Sequence, residues 1–220
     1  MGSRSTTSDQ LISLPDGGGA IQGIGEKFAT DLHTGTGNFS VPINLPPGRN
    51  GFHPQLSLSY STGHGNGLFG LGWSLSIPGV SRKTSRGVPQ YRDRDVALKN
   101  QDTFILSGAE DLVPVEDDEN GLFTRYQPRT EGLFARIRHH HNTKNKDNYW
   151  EVCSKDGLIS EYGTPGKAGT DDATIADPNP DLHHRIFAWK LTQTRDPFGN
   201  LILYDYDQRD TGSAGPHRWD

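Results

Sequence analysis

The chain carries one cysteine and one methionine in 220 residues. A lone thiol, Cys153, cannot close an internal disulfide, so a disulfide-stapled scaffold is excluded. No apolar run approaches the ~20 residues of a membrane-spanning helix. The polar start, Met1-Gly2-Ser3-Arg4-Ser5-Thr6, lacks the apolar stretch of a Sec leader and fits only the loose N-myristoylation pattern. Cations are the minority charge, 22 Lys and Arg against 27 Asp and Glu, net −5, which argues against a nucleic-acid clamp. Apolar residues amount to 31%, enough for a thin core. What is abundant is Gly (27) and Pro (14), about a fifth of the chain. That stays below the roughly 25–30% of low-complexity chains and describes a turn-rich fold.

Along the chain the dominant period is two. Residues 1–16, with only Leu11, Ile12 and Leu14 as anchors, read as a flexible N-terminal arm, and a Gly-studded stretch runs from Gly17 to Gly37. Then Phe39, Val41, Ile43 and Leu45 alternate with polar residues or proline, and Pro42 predicts an edge or a bulge. Leu56, Leu58 and Tyr60 alternate with serines, as do Trp73, Leu75 and Ile77. Three such strands with serine on the outer face predict an antiparallel meander. Further pairs are expected at 103–106 with 111–115, 122–126 with 133–138, 149–153 with 158–162, and 186–191 with 201–206. Asp156-Gly157 and Asp196-Pro197-Phe198-Gly199-Asn200 supply the turn chemistry of the last two. Residues 163–184 read as a polar loop or crossover, and residues 93–100 as one short helical turn. With no longer helix in view, the fold class is all-β, an antiparallel meander of hairpins. The end, His217-Arg218-Trp219-Asp220, has no capping chemistry and reads as a cut within a larger protein.

The chemical motifs each have a plain structural reading. Gly65-Asn66-Gly67-Leu68-Phe69-Gly70 fits G-x-G-x-x-G, but strand-like residues follow where a dinucleotide site needs a helix. An irregular loop, with Phe69 and Trp73 packed on glycine backbone, is expected. His139-His140-His141 lacks the paired spacing of a zinc site and is expected in an exposed loop, with His183 and His184 further on. Glu116-Asp117-Asp118-Glu119 and Asp177-Pro178-Asn179-Pro180-Asp181 resemble calcium ligand sets. The second has Leu182 in place of the loop glycine and Ala188 in place of the bidentate Glu, so both read as solvated loops. Cys153 reads as a buried or edge thiol with nothing near to activate it. No catalytic, cofactor-binding or metal-ligating residue is assigned, and the chain is read as a non-enzyme.

Several stretches carry a family resemblance. They include Gly17-Gly18-Gly19-Ala20-Ile21-Gln22-Gly23-Ile24-Gly25-Glu26-Lys27-Phe28, Thr34-Gly35-Thr36-Gly37-Asn38-Phe39-Ser40-Val41-Pro42-Ile43, Pro54-Gln55-Leu56-Ser57-Leu58-Ser59-Tyr60 and Gly70-Leu71-Gly72-Trp73-Ser74-Leu75. Later come Tyr126-Gln127-Pro128-Arg129, Arg185-Ile186-Phe187-Ala188-Trp189, and Asp196-Pro197-Phe198-Gly199-Asn200 with Tyr204, which is similar to a single RHS/YD repeat unit. Together they resemble the N-terminal domain shared by the SpvB virulence proteins and the B components (TcB, TcaC) of insecticidal toxin complexes. The resemblance implies one β domain over residues 17–220, truncated relative to the family, and part of a larger RHS-like β-shell. The implied role is a non-catalytic structural module of a secreted bacterial toxin, helping to enclose and deliver a toxic C-terminal effector. The implied partners are the C component and, through absent downstream regions, the A component. Alternatives are the N-terminal carrier or secretion domain of an ADP-ribosyltransferase, or a glycan- or protein-binding β module using loop 64–73. No cofactor, nucleic acid or membrane insertion is expected. Synthesis in the bacterial cytoplasm, export without a Sec signal and self-association through open sheet edges complete the expectations.

Overall fold

The computed structural model describes residues 27–31 and 36–206, apart from Leu68, Arg86, residues 94–100 and 108–110, Glu131, Leu133, Thr143 and Asn145. The expected arm at 1–16, much of the Gly-studded stretch, nearly all of the short turn at 93–100 and the final residues 217–220 lie outside them.

The serine-alternating strands form one sheet. β1 (Lys27–Asp31), β2 (Thr36–Ile43), β3 (Leu56–Ser61) and β6 (Trp73–Leu75) pair antiparallel in that order, and the two-residue ladders β4 (Asn66–Gly67) and β5 (Gly70–Leu71) lie between β3 and β6. β1 covers β2 only as far as Ser40, so Pro42, which has no N–H to donate, falls where that flank has no partner among the described residues. Trp73 packs against Tyr60 (5.3 Å between ring centroids) and edge-on to Phe39 (6.2 Å). Gly72 makes this possible: at φ +81° a Cβ would stand 2.5 Å from Tyr60 Cε2.

The second sheet closes on itself. The strands β7 (Gly79–Arg82), β8 (Phe104–Leu106), β9 (Asp111–Asp117), β10 (Phe123–Pro128), β11 (Arg136–His140), β12 (Tyr149–Cys153) and β13 (Ile159–Tyr162) pair in sequence, all antiparallel. β14 (Thr174–Ala176) intervenes before β15 (Ile186–Arg195), which pairs with β13 on one flank and β7 on the other and so shuts a barrel. β14 and β16 (Leu201–Leu203) occupy the remaining lengths of β15. Bulges supply the curvature that closure needs. One falls beside Pro114 on β9, where a missing N–H costs least, and another leaves Thr192 out of register on β15. There the Thr192 hydroxyl lies 3.1 Å from the Glu161 carbonyl oxygen and 2.8 Å from that of Gly163.

The predicted hairpins are present, with shifted ends: 133–138 becomes β11 at Arg136–His140. The reading of 163–184 as a polar loop or crossover is corrected, since the segment contains β14. Asp171 is buried and accepts from Thr164 N (2.6 Å), Thr164 Oγ1 (3.0 Å) and Ala173 N (3.0 Å). This internal bonding lets Thr174 and Ala176 on β14, and Ala173 just before it, be buried.

Inside the barrel, alternate residues from each strand meet: Val80, Phe104, Leu112, Tyr126, Ile137, Trp150, Ile186 and Trp189 are all within 2% of complete burial. Phe104 is central, edge-on to Trp150 (4.8 Å), Tyr126 (5.6 Å) and Trp189 (5.9 Å). Each such side chain contributes about 1.5–3 kcal/mol of burial, with the aromatic contacts adding to it.

Candidate functional site at the mouth of the barrel

Ionisable side chains enter this aromatic core from one end, where β7 and β11 finish and β12 and β15 begin. Arg82, the last residue of β7, is 3% exposed. Its Nε–H donates to the Ile186 carbonyl (2.7 Å), Nη1 to Asp93 Oδ1 (2.6 Å) and Asp102 Oδ2 (2.8 Å), and Nη2 to Asp93 Oδ2. The guanidinium carbon lies 4.8 Å from the Tyr91 and Phe104 ring centroids. Burial alone would lower the Arg82 pKa. The bonds and charges of Asp93 and Asp102 outweigh it, and the net shift is upward. Asp102 also accepts from the backbone N–H groups of Gln90 (3.0 Å) and Tyr91 (2.9 Å), which ties the loop after β7 to the start of β8.

His139 is the second buried group, at 1% exposure. Its Nε2–H donates to Asn148 Oδ1 (3.0 Å), while the backbone oxygen of Asn148 accepts from Trp189 Nε1 (3.0 Å). One asparagine therefore fixes two core rings. Among the described residues His139 Nδ1, which is buried, has no hydrogen-bond partner. The imidazole is held neutral: burial lowers its pKa well below the usual value, helped by His141, Arg82 and His140, with only the Asn148 bond opposing. His141, just beyond β11, sits with Nε2 2.7 Å from Thr124 Oγ1, which in turn donates to Asp117 Oδ1 (2.6 Å). A hydroxyl has one proton, so His141 supplies the other hydrogen in this chain.

The expectation that the histidine run is an exposed loop is thus corrected. Alternation on β11 sends His139 inward with Ile137, and His140 stacks on Tyr149 at 4.5 Å on the other face. The polar residues 142–147, which made the run look like a hairpin tip, begin only after it. His183 Nδ1 meets the Gly169 carbonyl oxygen (2.9 Å), and His184 is exposed.

The remaining motifs serve turns and pairings. Glu116 accepts from Arg125 (3.0 Å) across the β9–β10 hairpin, and Asp118 accepts from Asn120 N (3.1 Å) in its turn. Asp177 and Asn179 accept from the backbone N–H two residues on, at 3.0 and 3.1 Å. Cys153 ends β12 and is half-buried, paired on both flanks by Arg136 and Ile159, so it is not on a sheet edge. After the glycine motif comes β6, a strand, and no helix N-terminus is there to hold a phosphate. Trp73 is half-buried against Tyr60 and Phe39, and Phe69 is 49% exposed.

A cleft of about 570 Å³ opens over the barrel end. Tyr91, Arg92, Asp93, His139, His141, Lys146, Asp147, Asn148, His184 and Ile186 are among the residues that line it. Sequence reasoning missed it, because its walls come from segments about a hundred residues apart. Among the described residues no group of three or more His, Cys, Asp or Glu is placed to hold a metal ion.

Fold and site together define an all-β module, a closed antiparallel barrel joined to a four-stranded sheet, with the buried Arg82 held between carboxylates at the barrel end. Residues 31–218 match the family described as Salmonella virulence plasmid 65kDa B protein, SpvB, and the chain belongs to that family. It is 33% identical over 205 residues to the mono(ADP-ribosyl)transferase SpvB of Salmonella choleraesuis strain SC-B67, covering 88% of this chain and 32% of that protein. The chain thus spans about a third of the length of the curated relatives it matches. Among solved structures it is similar to the crystal structure of TcdB2-TccC3, with TM-score 0.70, 30% identity, and coverage of 94% of this chain and 10% of that one. It is also similar to the N-terminal domain of the effector protein SpvB from Salmonella typhimurium strain LT2, with TM-score 0.60, 31% identity, and coverage of 76% and 53%. The Photorhabdus luminescens Tc holotoxin pore gives TM-score 0.68, 30% identity, and coverage of 96% and 10%. Among the described residues no helix is long and apolar enough to cross a membrane.

Proposed function

We propose that this chain is a wall segment of a toxin shell, a non-catalytic module that helps enclose and deliver an effector supplied by downstream sequence. The observation that carries the reading is one of proportion. Nearly the whole chain superposes on TcdB2-TccC3 while occupying a tenth of that chain. A module that small within a continuous assembly contributes structure, and its buried polar groups, the charged Arg82 and the neutral His139, are engaged in bonds that pin strands together. The same module serves as the N-terminal carrier of an ADP-ribosyltransferase in the second reading, which the SpvB relatives favour. In either case residues 17–220 act as one unit without transferase chemistry of their own. Partners are the remaining shell components, and the protein acts outside the bacterial cell that makes it.

The test is a replacement. Residues 31–218 of this chain are exchanged for the matching region of TcdB2, and the chimera is co-expressed with TccC3. Assembly of a protease-resistant complex supports the wall role, and a chimera that folds without assembling refutes it. In parallel, the chain is incubated with NAD and a protein acceptor. Transfer of ADP-ribose by the chain alone would overturn the non-catalytic reading.

A further inference from the structure

The cleft over the barrel end has no part in the wall role. We propose that it is a binding site for an uncharged sugar. At about 570 Å³ it is of the size that holds a small ligand. Its formal charges balance, with Arg92 and Lys146 set against Asp93 and Asp147, so an anion would meet two carboxylates and a cation two basic groups. What remains favourable is a neutral molecule rich in groups that both donate and accept. Asp, Asn, His and Arg side chains line the cleft and offer paired, planar hydrogen-bonding edges that match neighbouring hydroxyls. Tyr91 and Pro180 give the apolar surface against which a sugar's C–H face rests.

Two features show a site built in advance. Asp93 and Asp147 are already oriented, Asp93 by Arg82 (2.6 Å) and Asp147 by the Gly166 N–H (2.9 Å). His139 is among the lining residues, with Nε2–H committed to Asn148 (3.0 Å), which leaves Nδ1 as an acceptor, buried and unpartnered among the described residues. A buried acceptor without a donor is rare in a native structure, and a ligand hydroxyl supplies one. The inference does not depend on the wall role, since it concerns the chain by itself.

Saturation-transfer NMR on the full 220-residue chain tests it, with D-glucose, D-galactose and N-acetyl-D-glucosamine as probes, and inorganic phosphate and citrate as competitors. The expected result is saturable transfer to at least one sugar, undisturbed by either anion. Arg92→Ala and Asp147→Asn should each weaken it about tenfold or more, with the melting transition retained. If Asp147→Asn does not fold, Arg92→Ala, at an exposed side chain, carries the comparison. No transfer to any of the three sugars overturns the proposal. So does displacement by phosphate or citrate, and so does binding that both variants leave unchanged.

Discussion

The His139 imidazole lies flat on the Trp150 indole, 4.3 Å between ring centroids and 4° from parallel. A neutral imidazole stacks there as an aromatic ring. A protonated one brings a charge into a cavity that already holds Arg82 and faces His141. Because the folded pKa of His139 is lowered, first by burial and then by His141, the unfolded chain binds the extra proton more readily. Stability is therefore complete above about pH 6.5, the ordinary histidine value, and falls as pH drops below it. The slope approaches about 1.4 kcal/mol per pH unit for one proton, read between about pH 6.5 and about pH 5. Urea denaturation between those values checks this. His139→Phe keeps a ring on Trp150 and should flatten the dependence. An equal slope in the variant would refute the assignment.

Asn148 holds His139 through its side chain and Trp189 through its backbone. Asn148→Ala removes only the first bond and strands a buried N–H. The expected cost is about 1–3 kcal/mol, read as a lower denaturation midpoint with an unchanged m-value.

Arg82 joins the loop after β7 to the starts of β8 and β15. Arg82→Met fills similar space and leaves Asp93 and Asp102 half-buried without their cation. Breaking a buried pair from one side costs about 3–5 kcal/mol. Arg82→Lys should recover part of that, because the charge returns without the planar fork that reaches both aspartates and the Ile186 carbonyl. Thermal melts of the two variants check both points. If lysine serves as well as arginine, the geometry argued here is wrong.

How far the sequence disclosed all this depends on range. Hairpins were legible because their cause is local: Asp156-Gly157 sets one turn, and Asp196 sets another by accepting from Phe198 N (2.9 Å) and Asn200 N (2.8 Å). The serine strands were legible because a period of two needs no partner to be seen. Closure was not legible. It is made by β15 pairing with β7, with Trp189 opposite Val80, a contact that no nearby residue announces. The buried Arg82 and the cleft followed the same fate, since Asp93, Asp102 and Ile186 meet the guanidinium only once the barrel shuts. His139 was misread because its polar neighbours in sequence lie beyond the strand end and outweighed the alternation of β11. β14 was hidden because Asp171 satisfies backbone groups that would otherwise have kept the segment in water.

Gly72→Ala tests the four-stranded sheet separately from the barrel. The residue sits at φ +81°, and the new methyl would meet the Tyr60 ring and the Ser61 carbonyl oxygen at 3.0 Å or less. Both strain and clash act on the native state, so the loss should exceed about 1 kcal/mol. Near-ultraviolet circular dichroism reports it through Trp73, whose ring packs on Tyr60. A variant that melts like the parent with the same spectrum would show that Trp73 does not depend on this close approach.

The free flank of β16 gives the last prediction. β16 pairs with β15 and, among the described residues, with no other strand, while Leu201 is 52%, Leu203 62% and nearby Phe198 80% exposed. An unpaired edge offers backbone donors and acceptors to another strand, and apolar side chains beside it favour the encounter. In the isolated chain a second copy is the available partner. The isolated chain should therefore self-associate with rising concentration. Leu201→Lys with Leu203→Lys should suppress this while leaving the melting transition within about 0.5 kcal/mol of the parent, because neither side chain is in the core. Sedimentation velocity separates the outcomes. A parent chain that stays monomeric across the concentration series would mean the edge is already protected, and the wall role would then need a different joint.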